Sequence, residues 1–269
     1  MEGYKSLFST VAVMLMVVML ETSTSVAKSP PELLKKTPEW LRPCKRDDPK
    51  LDDCLRDAFQ FMFPNLARGI PEIGVKRFEP LFIPEVRISQ GRSGDAFQLQ
   101  GSFRNILAHG PSNSTTRFMR IAFGEKNHTM TFGVDIPRIR IEAEYQLDGN
   151  IILLPLVGDG RANVHLRNVT TSVWMVVEPI IFQSDGVDRE IFRIKDIKLD
   201  FAVEGMRIHL GNLFHGNKLL GLTVNNFLNQ NSKEVIAEIR GSVGRSLGEL
   251  FKRIMNEGLS HMPTDLWLP

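Results

Sequence analysis

The sequence predicts an α+β fold in which a strongly curved antiparallel β-sheet wraps around a long carboxy-terminal α-helix. Three observations carry this reading. Apolar residues alternate with polar ones from about residue 80 to 210, a helical apolar stripe follows from residue 217, and a shorter apolar helix precedes both. A long sheet that is apolar on one side must curl around something, and the carboxy-terminal stripe supplies it.

The first residues read as a targeting segment. Lys5 gives a short charged start, Leu7 to Leu20 is mostly apolar, and Ser25-Val26-Ala27 offers small residues for cleavage before Lys28. The apolar run falls short of the roughly 18 residues a membrane span needs, so a cleaved signal peptide over 1–27 is preferred to a signal anchor. Residues 28–269 are then read as one continuous domain, because no Pro/Gly/Ser-rich linker divides them.

The mature chain opens with an extended arm marked by Pro30, Pro31, Pro38 and Pro43. Asp48-Pro49 starts a helix, Asp48 as cap and Pro49 at the first helical position. Leu51, Leu55, Ala58, Phe59, Met62 and Phe63 follow at helical spacing. Their aromatic cluster serves either core packing or a cavity wall. Pro64 is expected to bend or end this helix, and Gly69, Pro71 and Gly74 to form a turn.

Period two then takes over. Phe97, Leu99, Gly101 and Phe103 alternate, as do Met119, Ile121 and Phe123. Phe132, Val134 and Ile136 change parity at Pro137 and continue as Ile139, Ile141, Ala143 and Tyr145, which calls for a bulge or a bend there. Further strands are expected over 151–156, 162–177, 191–201 and 206–210, with turns at Asp148-Gly149 and Asp185-Gly186. The last stripe runs through Leu220, Val224, Phe227, Val235, Ile239, Val243, Leu247, Phe251 and Ile254. Over about 40 residues it would reach roughly 60 Å if unbroken. Its steps are mostly fours, a poor heptad, so a coiled-coil dimer is disfavoured. Gly241, Gly244 and Gly248 each weaken it by up to about 1 kcal/mol relative to alanine, and mark a close sheet–helix contact or a bend.

Composition narrows the functions. Removing residues 1–27 takes away Lys5, Glu2 and Glu21, moving the formal charge from +2 to +3. With no basic stripe, nucleic acid is not expected as a partner. Cys44 and Cys54 are the only thiols. On an oxidising route they would pair, closing a short loop worth about 2.5–3 kcal/mol in the chain-entropy account. Zinc would need more ligands than this pair and its neighbours provide. Three sequons, at Asn113, Asn127 and Asn168, fit an exported glycoprotein.

Catalysis finds little footing. Gly244-Arg-Ser246-Leu-Gly248 has the spacing of a serine-hydrolase elbow, but it lies inside a helical stripe where a sharp strand-to-helix turn is required. Gly158-Asp-Gly160 lacks the third glycine of a dinucleotide fingerprint. The six histidines are scattered, so no metal site is expected, and neither is a cofactor.

Four stretches resemble one family. The segment from Cys54 to Val75 has the cysteine-closed helix and Gly-Ile-Pro-Glu-Ile-Gly turn, and residues 158–216 carry Gly158-Asp-Gly-Arg-Ala-Asn-Val and Leu210-Gly-Asn-Leu-Phe-His-Gly216. Asn217 to Asn231 and the ending Met262 to Pro269 complete the set. Together they are similar to the takeout and juvenile-hormone-binding proteins, a family of secreted insect proteins. With two cysteines only, the chain departs from the moth haemolymph carriers, which have a further pair; this favours the takeout-like branch, similar to circadian clock-controlled proteins.

That resemblance implies a tubular lipid-binding (TULIP-like) fold with an internal hydrophobic tunnel, and a carrier rather than an enzyme. The implied partner is a small hydrophobic molecule: a juvenile-hormone-like terpenoid, a fatty acid or an odorant. Inward candidates for the tunnel are Phe59, Phe97, Leu99, Phe132, Val134, Ile136, Tyr145, Trp174, Phe227 and Ile236, with Tyr145 able to offer a hydroxyl. The chain is read as a monomer in haemolymph or in sensory or fat-body fluid, without stable membrane insertion. A signalling module engaging a cell-surface receptor is the alternative.

Overall fold

The computed structural model describes residues 32–91, 97–151, 154–184 and 186–269. The expected signal peptide lies outside the described residues. Helix α1, Leu51–Arg68, starts two residues later than Asp48-Pro49 suggests, because the Asp48 carboxylate accepts the Lys50 N–H at 2.8 Å in a turn of its own. Pro64 sits inside α1 without ending it, and the helix stops at Gly69, whose φ of 92° is glycine's territory. Cys44 and Cys54 are disulfide-bonded with Cα atoms 5.8 Å apart, tying the arm to α1.

Among the described residues, seven strands form one antiparallel sheet: β1 (Leu81–Gln90), β2 (Phe97–His109), β3 (Thr115–Ala122), β4 (His128–Ile151), β5 (Leu154–Pro155), β6 (Gly158–Ser184) and β7 (Val187–Leu210). The order is β1-β2-β4-β6-β7, and β2 and β3 share one edge of β4 end to end. The separate segments expected over 151–210 are thus two strands of 27 and 24 residues plus the small β5. Asp148-Gly149 is no turn: both residues pair with β2, and a Cβ on Gly149 would stand 2.0 Å from Gln98 O. Gly186, with φ of 77°, does serve the β6–β7 hairpin.

The parity change foreseen at Pro137 is present, but not as a bulge. β4 and β6 keep one register from His128↔Val177 to Leu147↔Gly158. The inward set changes parity in both strands at the same line: Ile136 gives way to Ile139, and Val169 to Leu166 across Asn168, whose φ is 48°. β7 follows, with Val203 giving way to Met206. A crease therefore crosses three paired strands, bending the sheet while its hydrogen bonds stay in step. A separate irregularity serves β1 and β2, where Pro84 lies between Ile83 and Val86 and Asn105 (φ 51°) accompanies a register shift against β4.

The carboxy-terminal stripe forms two helices, α2 (Lys218–Gln230) and α3 (Ser232–Ser260), broken at Asn231 rather than at a glycine. α3 packs against both outer strands, β1 and β7, and so closes the curl. Gly244 and Gly248 lie on β7: a Cβ at Gly244 would approach Leu199 O to 2.7 Å. The open edge of β7 is occupied by asparagine side chains. Asn225 accepts the Leu210 N–H at 2.8 Å and donates to Leu210 O at 3.0 Å. Asn229 does the same at Ile208 (2.8 and 2.9 Å), and Asn256 at Ile194 (2.7 and 3.1 Å). Each amide stands in for a strand residue and satisfies an edge that would otherwise invite another chain.

The two ends of the described chain meet. Leu34 N donates to His261 O, Cys44 N to Trp267 O and Arg46 N to Pro269 O, all at 2.9 Å. Arg189 of β7 joins both, donating to Leu34 O at 2.7 Å and to both Asp265 carboxylate oxygens at 2.8 Å.

Candidate functional site: an apolar cavity under the curled sheet

The crease and the closing helix leave an internal cavity of about 490 Å³, within the range of small-molecule sites. Its floor is the inner face of the sheet: Ile83, Val86 and Ile88 of β1, Met130, Phe132, Val134, Ile136, Ile139 and Ile141 of β4, Val169, Val173 and Met175 of β6, and Ile197, Leu199, Phe201 and Val203 of β7. Its long wall is α3, whose lining residues run from Ile236 to Leu259, about 35 Å at 1.5 Å per residue. Helix α1 covers one end with Leu55, Ala58, Phe59, Met62, Phe63 and Leu66. The Phe cluster is therefore both core and wall: Phe59 packs edge-on against Phe132 at 5.2 Å and tilts against Phe63 at 5.4 Å, and all three line the cavity.

Polar groups are few on this wall. Thr171 Oγ1 donates to Val134 O at 3.2 Å, Ser114 Oγ to Pro111 O at 2.6 Å, and the Arg42 guanidinium lies 3.7 Å over the Phe61 ring. Trp267, from the tail, completes the lining.

Of the residues nominated from sequence, Phe59, Phe132, Val134, Ile136 and Ile236 line the cavity. Four do not. Leu99 is buried in the part of the core under β1 and β2. Phe227 packs from α2 onto that same cluster. Trp174 occupies the opposite parity to Val173 and Met175 and lies on the outer face, where the Lys198 ammonium stands 5.2 Å from its ring. Tyr145 sends its hydroxyl to Gly211 O at 2.7 Å, and burial, then the charge of Asp159, push its pKa up to about 12. The Phe97 side chain lies outside the described residues. Sequence reasoning passed over Ile239, Val243, Leu247 and Phe251 as wall, although they carry the helical stripe that signals it. Trp267 had no such signal.

The other motifs stay apart from the cavity. Ser246 lies within α3, and its hydroxyl donates to Arg87 O of β1 at 3.3 Å. Among the described residues no three His, Cys, Asp or Glu are grouped to hold a metal ion, and no helix is long and apolar enough to cross a membrane. Asn113, Asn127 and Asn168 are exposed, Asn168 with its amide against Glu204.

A curled antiparallel sheet closed by a helix over an apolar cavity defines a class of binding proteins for small hydrophobic molecules. Residues 15–269 match the haemolymph juvenile hormone binding protein (JHBP) family, and the chain belongs to that family. It is 26% identical over 231 residues to circadian clock-controlled protein daywake of Drosophila melanogaster, covering 85% of this chain and 86% of that one. Daywake of Drosophila yakuba is 25% identical over 231 residues, with the same shares covered. The crystal structure of Epiphyas postvittana Takeout 1 superposes with a TM-score of 0.70 at 25% identity, covering 85% of this chain and 99% of that chain. These relatives put the chain on the takeout-like side of its family.

Proposed function

We propose that the chain is a secreted carrier that encloses one small hydrophobic molecule, a terpenoid, fatty acid or odorant, and releases it unchanged. The cavity carries this reading: about 490 Å³ lined almost wholly by aliphatic and aromatic side chains. Each methylene moved there from water gains about 0.8 kcal/mol before the costs of association, so a chain of ten or more carbons reaches useful affinity without many polar contacts. Residues 1–27 act as a cleaved signal peptide, residues 28–269 as a single carrier domain, and the disulfide fits an oxidising route. Exposure of Asn113, Asn127 and Asn168 leaves each sequon open to glycan transfer.

The test is native mass spectrometry with organic extraction on protein secreted from insect cells. A near-stoichiometric apolar species supports the carrier. Protein that arrives empty and takes up neither a fluorescent fatty acid nor a juvenile-hormone analogue overturns it in favour of a signalling module.

A further inference from the structure

One charge stands on the surface of the apolar cavity. Among the described residues that line it, Arg42 alone is charged and Arg42 alone is exposed. A residue that both lines a cavity and meets solvent lies at its rim, where an arginine covers apolar wall with its stem and keeps its guanidinium in water. Leu41 beside it is buried and lines the cavity too, so the rim falls where the arm passes α1.

The guanidinium is held there without being neutralised. Its Cζ stands 3.7 Å over the Phe61 ring of α1, and among the described residues it meets no carboxylate and no hydrogen-bond acceptor. An aromatic face holds a guanidinium by its flat side, which leaves the N–H fork open to a bidentate carboxylate. The backbone beneath it is fixed on both sides. Leu41 N donates to Pro38 O at 3.1 Å, Cys44 N donates to Trp267 O at 2.9 Å, and the Cys44–Cys54 disulfide joins the arm to the helix that carries Phe61.

The rest of the lining has little to give an anion. Ser114 Oγ and Thr171 Oγ1 donate to backbone carbonyls, and Trp267 Nε1 is closed off by the atoms around it. A carboxylate placed deeper along the wall would lose its water and find no charge to replace it.

We propose that Arg42 is the head-group site of the cavity, holding the carboxylate of a fatty acid at the rim while the acyl chain lies inside. An ester of the same length gains little from the charge, so the site favours free acids among the hydrophobic molecules that fit. This rests on the carrier reading and adds to it a ligand class and an orientation, carboxylate outermost.

The experiment compares myristic acid with methyl myristate at neutral pH on the full secreted protein and on Arg42→Gln, by displacement of a fluorescent apolar probe. The expected result is that wild-type protein prefers the acid and that this preference falls about fivefold on Arg42→Gln. A preference that stays the same, or is missing from wild-type protein, overturns the proposal and leaves the carrier intact. Failure of wild-type protein to take up probe, acid and ester alike sinks the carrier reading and the proposal together. A second readout needs no variant. The carboxyl resonance of [1-¹³C]myristic acid bound to wild-type protein should keep its ionised position to a lower pH than that of the free acid, because the guanidinium favours the charged form. A bound carboxyl that titrates above the free acid lies in the apolar interior, and overturns the proposal even if Arg42→Gln does not fold.

Discussion

Tyr145 spends its hydroxyl on the backbone carbonyl of Gly211, joining β4 to the loop that leaves β7. Burial raises its pKa to about 12 against an unfolded value of about 10. Above pH 10 the unfolded chain therefore loses this proton before the folded one does. The contribution is fully present below pH 10 and falls as pH rises towards 12, by at most roughly 1–3 kcal/mol. The only other tyrosine is Tyr4, so in protein lacking residues 1–27 the tyrosinate absorbance reports Tyr145 alone. Titration should show a midpoint near 12 that drops to about 10 in denaturant, and Tyr145→Phe should make the alkaline slope in stability shallower. Alternation placed Tyr145 on an inward strand face, which is correct. What alternation lacked was the acceptor, 66 residues away in sequence, that claims the hydroxyl.

At the scale of elements, two glycines of α3 separate propensity from packing. Gly244 faces β7 so closely that a methyl group would sit 2.7 Å from Leu199 O, whereas Gly241 is exposed, with the nearest atom the mobile end of Arg245 at 3.5 Å. Gly244→Ala should cost about 1–3 kcal/mol by lifting the helix from the strand, and Gly241→Ala should gain up to about 1 kcal/mol. Chemical denaturation of both variants checks the pair, and stabilisation by Gly244→Ala would contradict the close contact. The stripe in this helix was legible because 3.6-residue spacing is local. The break at Asn231 was not, since neither proline nor glycine marks it. Parity likewise revealed the crease at Pro137 in β4, yet its continuation through Asn168 and Val203–Met206 depends on pairing between distant strands. Trp174 was misjudged by one residue for a related reason: period two fixes which residues share a face, and only the fold decides which face is inside.

For the whole molecule, curvature, closure and cavity are one feature. Val203 lines the floor from β7 and is half-buried, so Val203→Trp should place an indole in the cavity. Uptake of a fluorescent fatty acid should fall at least tenfold while the circular dichroism spectrum is kept; unaltered uptake would place the ligand elsewhere. The broad architecture was readable from two periodicities because each demands a partner surface. The cavity wall was only half readable, because membership depends on where a curved sheet and a helix fail to touch.

The arm–tail junction has a consequence in time. Sheet strands β1 to β7 precede α3 and Trp267 in the chain, and Leu34 is bound to His261. During synthesis β1 to β7 emerge before α3, so the sheet has no closing helix until α3 has been made. The cavity is thus completed later than its floor, when α3 packs on β1 and β7 and the tail meets the arm.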